Sequence, residues 1–289
     1  MKKYKLAQVI LLLVISHVSA AERNEITDAI RYAYNLRFDK AEEIISKYIK
    51  ENPDNLTGYA GRAVYDFLVI NQNPDQENID TIFKNLREFE EILDNRLSRD
   101  NSVETRFYKC FADYYFMKSY ALNRNWISSF RSASRSRSLA LELKEHIDIL
   151  PDLYFILGDQ DYTASLVPSS LEPLMRFVSF SPDRAKGLRL LEKAMEHGVL
   201  TRHEARMFYI SSMIYVEGNF KKALELTDSF LEDFPENLTA VFYRADILLR
   251  KGRIIEAVRM LDRIDAIYIK GGLAGKWLSK YHQDIRKLL

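Results

Sequence analysis

The sequence predicts an all-α protein, a solenoid of stacked antiparallel helical hairpins that ends in a capping helix. Three observations predict it. Gly218-Asn219-Phe220-Lys221-Lys222-Ala223 recurs 34 residues on as Gly252-Arg253-Ile254-Ile255-Glu256-Ala257, with Phe230 matched by Ile264. The turn Pro53-Asp54-Asn55-Leu56-Thr57 recurs as Pro235-Glu236-Asn237-Leu238-Thr239. Only 10 Gly and 7 Pro occur in 289 residues, too few for the many short turns of a β-rich chain.

The segment 1–20 reads as an export signal. Met1-Lys2-Lys3-Tyr4-Lys5 is a basic start, Leu6 to Ile15 is a short apolar run, and Val18-Ser19-Ala20 fits a cleavage site with Ala21 as the new first residue. The apolar run is short for a span and is broken by Gln8 and His17, so no stable membrane span is expected after cleavage. Export places the expected location in the periplasm or cell envelope, or outside the cell. Loss of this segment leaves 39 basic against 41 acidic residues, a balance that does not suit a nucleic-acid binder, which needs a concentrated basic face.

Residues 21–100 hold the first hairpins. Over 22–55, Ala29 and Ala41 are small positions, Phe38 stands three residues before Ala41, and Pro53 breaks the chain. Residues 56–71 start the next hairpin with Tyr59 and Ala63 inward, and 77–97 return with Ile79, Phe83, Leu86, Phe89, Ile92 and Leu93 at helical spacing. Residues 101–200 are the degenerate centre. Phe107, Phe111, Tyr114, Tyr115, Phe116 and Tyr120 nearly surround the helix over 102–122, so it is expected to be buried on most sides. Residues 126–148 are its partner helix. A helix over 152–164 follows, Pro168 and Pro173 bracket a short one, and Ser181-Pro182-Asp183 starts another, with Ser181 as cap, that ends at His197-Gly198.

Residues 201–271 hold the two tandem repeats. Gly218 and Gly252 end first helices where a positive φ suits glycine, and Ala223 and Ala257 let the paired helices approach. Such a hairpin cannot bury its apolar face alone, so neighbours must stack on it. With a 34-residue period and this order of Gly, aromatic and Ala, the segment resembles the tetratricopeptide repeat (TPR) family. The first copy starts at Glu204, with small positions at Ser211, Ala223 and Phe230; the second starts at Leu238, with Ala245, Ala257 and Ile264. The resemblance implies a right-handed superhelix. The segment from Tyr154 through Arg184-Ala185-Lys186-Gly187-Leu188 resembles the inclusion body clearance family of larger TPR-containing proteins, over about a third of the chain. Residues 272–289 read as the capping helix, with Trp277, Tyr281, Ile285 and Leu288 on one stripe.

No motif points to catalysis, a metal or a cofactor. His203-Glu204 lacks a second histidine at ligand spacing, and no phosphate loop or nucleophile elbow occurs. Glu42-Glu43 and Glu90-Glu91 are expected in solvent. The single cysteine, Cys110, sits in an aromatic helix and is expected as a small core residue. The Arg131, Arg135 and Arg137 face, with Ser132, Ser134, Ser136 and Ser138, reads as a solvated outer face or an anion contact, the former preferred. The TPR resemblance implies a concave groove lined by first helices. Its residues would be Phe208, Ser212 and Tyr215 in one repeat and Phe242, Asp246, Leu249 and Arg250 in the next, with Arg23, Ile26, Ile30 and Tyr34 at the matching positions of the first hairpin. These readings predict a non-catalytic scaffold or adaptor of the cell envelope that binds a protein or peptide. The alternative is a small-ligand-binding periplasmic component associated with a transporter, with a cavity among the aromatics of residues 107–120.

Overall fold

One turn, repeated, builds the hairpins. In the computed structural model, which describes residues 25–72, 76–168, 180 and 182–271, Gly218 and Gly252 have φ of 64° and 71°, and Leu36 and Arg124 reach 59° and 56° in the equivalent turns. Each stands two residues before the next helix. The backbone bonds Arg37 N–H to Tyr32 O, Asn125 N–H to Tyr120 O and Arg253 N–H to Leu248 O, all at 2.9 Å, close the same helix-ending motif. At Gly218 the loop is one residue wider, with Asn219 N–H bonded to Met213 O.

Every regular element among the described residues is helical. They are α1 (25–34), α2 (Phe38–Glu51), α3 (Leu56–Gln72), α4 (Gln76–Leu97), α5 (Val103–Leu122), α6 (Trp126–Glu142), a 3-10 turn (Lys144–His146), α7 (Asp152–Ala164), α8 (Arg184–His197), α9 (Arg202–Tyr215), α10 (Phe220–Asp233), α11 (Leu238–Arg250) and α12 (Ile254–Gly271). Asparagine caps recur where a helix must start: Asn125, Asn219 and Asn237 each accept a backbone N–H three residues on.

Helices pack on their sequence neighbours, and α3 also packs on α5, α7 on α9 and α9 on α11. The odd-numbered helices therefore share an inner layer and the even-numbered ones form an outer layer, the arrangement of a helical solenoid. The small positions carry the packing: Ala29, Ala41, Ala223, Ala245 and Ala257 are fully buried, as are Phe230 and Ile264. One apolar core runs from Ile26 to Ile247, and a second cluster, with Leu238, Val241, Phe242, Leu261 and Ile264, joins α11 to α12. In the centre, Gly187 lets α8 approach α7 at backbone distance, since a Cβ there would lie 2.6 Å from Tyr162 N.

The stack also closes on itself. The Tyr34 ring lies 5.5 Å from His203, 5.8 Å from Phe230 and 5.4 Å from Phe234. Asn237 Nδ2 donates to Tyr34 O at 2.9 Å, and the Arg31 guanidinium lies 5.5 Å from the Phe234 ring centre. The first hairpin thus docks on the tandem repeats.

Four local expectations are corrected. The partner helix expected over 126–148 ends at Glu142, and the chain turns through the 3-10 segment. The helix start near Ser181 is capped by Asp183, whose side chain accepts from Lys186 N. The Arg/Ser face of α6 is only partly solvated: Arg131 and Arg135 are exposed, but Ser132, Ser136 and Arg137 are buried and Arg137 pairs with Asp161 at 2.6 Å. Their burial follows from the small serines, which let α6 lie against α5 and α7. Glu42 and Glu90 are paired with Arg62 and Lys109 across helices. Cys110 is fully buried; it donates to Ser136 O, and burial pushes its thiol up to about 12. The signal segment with Ala20 and Ala21, the capping helix over 272–289 and Ser181 lie outside the described residues.

Candidate functional site

The inner layer lines a half-open cavity of about 350 Å³ on the concave side. Each inner helix gives it a side chain: Tyr34 from α1, Phe67 from α3, Lys118 from α5, Asp159 from α7, Phe208 from α9 and Tyr243 from α11. Closure of the stack by Tyr34 is what turns a groove into a walled space.

Its floor is charged. Lys118 Nζ pairs with Glu204 and lies 4.1 Å from the Phe67 ring centre, with the Phe155 and Tyr114 rings at 5.3 and 5.4 Å. Aromatic faces stabilise the ammonium where water is scarce. Tyr115 donates to Glu204, and Tyr114 to Asp159, which also accepts from Thr163 Oγ1 at 2.7 Å. Burial first, then the neighbouring carboxylates, pushes both phenols well above the ordinary tyrosine range, so they remain donors. Tyr34 is also fully buried and its phenol is raised in the same way, yet among the described residues its hydroxyl has no hydrogen-bond partner.

From the cavity the concave face continues along α9 and α11. Tyr215 is 45% exposed, and its ring meets Tyr243 edge-on at 6.0 Å. Arg250 reaches back over the Tyr215 and Phe220 rings at 5.5 and 5.8 Å while its Nε donates to Asp246 at 2.9 Å. The stripe therefore runs 208, 211, 215 on α9 and 239, 243, 246, 250 on α11.

Of the residues that the sequence singled out, Tyr215, Asp246 and Arg250 meet through these contacts, and Phe208 lines the cavity. Ser212 is buried and donates to Phe208 O at 2.9 Å, so Ser211 takes its place on the cavity wall. Phe242 is buried in the α11–α12 cluster, Leu249 packs on the same cluster, and Tyr243 faces the cavity. In the first hairpin Ile26 and Ile30 are core residues and only Tyr34 reaches the site, while Arg23 lies outside the described residues. Among the aromatics of 107–120, Phe111, Tyr114 and Tyr115 are fully buried and fill the core, with the Tyr115 ring centre 5.0 Å from Phe111 and 5.5 Å from Tyr114. The polar space lies at their edge.

Sequence reasoning missed Lys118, Asp159 and Glu204. A signal was present: Lys118 is a cation in the most aromatic helix, and Asp159 lies in a helix with almost every side chain buried. A charge that burial would penalise is kept where it is paired or used. Among the described residues no group of His, Cys, Asp or Glu could hold a metal ion, and no helix is long and apolar enough to cross a membrane.

Comparison with known proteins extends the resemblance well past the middle third. The sequence profile of the Iml2/Tetratricopeptide repeat protein 39 family matches residues 29–270. Among curated proteins none matches the chain. The chain belongs to the Iml2/Tetratricopeptide repeat protein 39 family and is a TPR-like helical protein.

Proposed function

We propose that this family member is a non-catalytic scaffold or adaptor, exported to the periplasm or cell envelope, that binds a protein or peptide segment along its concave face. The observation that carries the reading is the continuous strip from the walled cavity through Tyr243 and Tyr215 to Arg250. It offers exposed aromatic surface, one cation and one carboxylate in a concave setting, a combination suited to anchoring a segment of another chain. Export rests on the basic, apolar and small-residue pattern of residues 1–20.

Capture from envelope extract tests it. The wild-type chain should retain a partner that Tyr215→Ala with Tyr243→Ala loses, while circular dichroism stays that of the folded protein. Full retention by the folded double variant contradicts the reading. The cavity of about 350 Å³ favours a second reading, a small-ligand component beside a transporter. A ligand that stabilises the chain without any partner protein, and loses its effect on Lys118→Met, would favour that one.

A further inference from the structure

A second cavity, of about 520 Å³, opens on the other side of α3 and shares no lining residue with the first. Its floor is the α3 row Tyr59, Arg62, Asp66 and Val69. One wall is the α4 row Asn78, Thr81, Asn85 and Glu88, at i, i+3, i+7 and i+10. Such spacing puts the four polar side chains on one helix face. The opposite wall is α2, with Glu42 and Ser46, and Lys50 stands exposed at its end. A helix that buries Ile82, Phe83, Leu86, Phe89 and Leu93 on one face has thus turned a second, polar face towards a cleft.

The cleft has an unbalanced buried acid. Asp66 is 5% exposed, and its one hydrogen bond among the described residues comes from Asn85 Nδ2 at 2.8 Å. The nearest cation is already engaged: Arg62 pairs with Glu42 through Nη1 and donates to Ser46 Oγ through Nη2 at 2.6 Å. Glu42 holds that arginine from α2, and Tyr65 spends its hydroxyl on Phe38 O. Among the described residues no hydrogen bond reaches Asp66 Oδ1. A buried carboxyl whose nearest cation is paired with another acid is costly, and a ligand ammonium would supply charge and donors together.

We propose that this cleft is a binding site for a small aliphatic ammonium compound, a diamine in size and charge, with Asp66 as the counter-ion. The first ammonium donates to Asp66 Oδ1 and to the side-chain oxygens of Asn78 and Thr81. The second reaches the exposed Glu88 at the mouth. The Tyr59 ring, packed on Phe89 at 5.8 Å, walls the aliphatic stretch.

Burial, against the hydrogen bond from Asn85 and the charge of Arg62, pushes the Asp66 carboxyl up to about 7, with Glu42 adding to the rise. An ammonium binds the ionised form, so affinity should be full above pH 7 and fall as pH drops below it.

Titration calorimetry on the whole chain, with putrescine as probe and 1,4-butanediol as its neutral isostere, tests the site. Putrescine should bind at pH 8, at least tenfold more weakly at pH 5.5, and butanediol should give no heat. Asp66→Asn, which keeps the shape and removes the charge, should weaken putrescine at least tenfold, and Glu88→Gln less. Tyr215→Ala with Tyr243→Ala should leave the affinity unchanged. No binding of putrescine to the wild type, equal binding of the diol, or an Asp66→Asn variant that binds as the wild type does would each overturn the assignment.

Discussion

His203 shows how one half-buried side chain sets a pH limit. Its ring lies between Tyr34 and Phe234, 4.6 Å from the latter, and Nδ1 has no hydrogen-bond partner among the described residues. Burial, then Arg206, Arg31 and Arg202, lowers its pKa to about 3, against about 6.5 for a free histidine. The unfolded chain takes up this proton below about pH 6.5 and the folded chain only near pH 3, so stability is lost as pH falls through that window. His203→Leu should lose less stability than the wild type between pH 7 and 4.5, read as the shift in urea midpoint. An equal loss in both proteins would contradict the neutral ring. From the sequence His203 was only a failed metal ligand, because its neighbours come from α1 and α10, which no local pattern connects.

At the scale of an element, the hairpin turn is the repeated device. Glycine takes the left-handed position at 218 and 252, but Leu36 and Arg124 adopt the same φ with a Cβ, at a cost of about 1–2 kcal/mol. Leu36 packs partly on the α11–α12 cluster, whereas Arg124 is exposed. Arg124→Gly should therefore stabilise the chain by about 1 kcal/mol, measured by equilibrium urea denaturation; unchanged or lower stability would contradict the strained turn. The turns and caps were legible in the sequence because they are set within a few residues. The repeated turns at Asn55 and Asn237 do precede helices, and their side chains accept from Thr57 N and Ala240 N. The facing of each helix was legible only to within one residue. Positions 211 and 212 lie 100° apart on α9, and the tertiary contacts, not the spacing, turned Ser211 to the cavity and Ser212 inward.

At the scale of the whole molecule, the unit is a stack bent far enough for its first hairpin to meet its fifth. Each hairpin contributes a small rotation, and the sum is not written at any one position, so closure was not legible in the sequence. Its consequences are the walled concave cavity and the one apolar core that runs from α1 to α11. They also explain how a chain with a single cysteine, and so no internal disulfide, holds its first hairpin against its tandem repeats by packing. The seam is aromatic: Tyr34 meets Phe230 and Phe234, residues about two hundred positions away. A double-mutant cycle on Tyr34→Ala and Phe234→Ala, by urea denaturation, tests that seam most directly. Direct ring contact predicts a coupling of about 0.5–1.5 kcal/mol. Strict additivity of the two substitutions would show that the first hairpin does not touch the tandem repeats, and would contradict the closed solenoid.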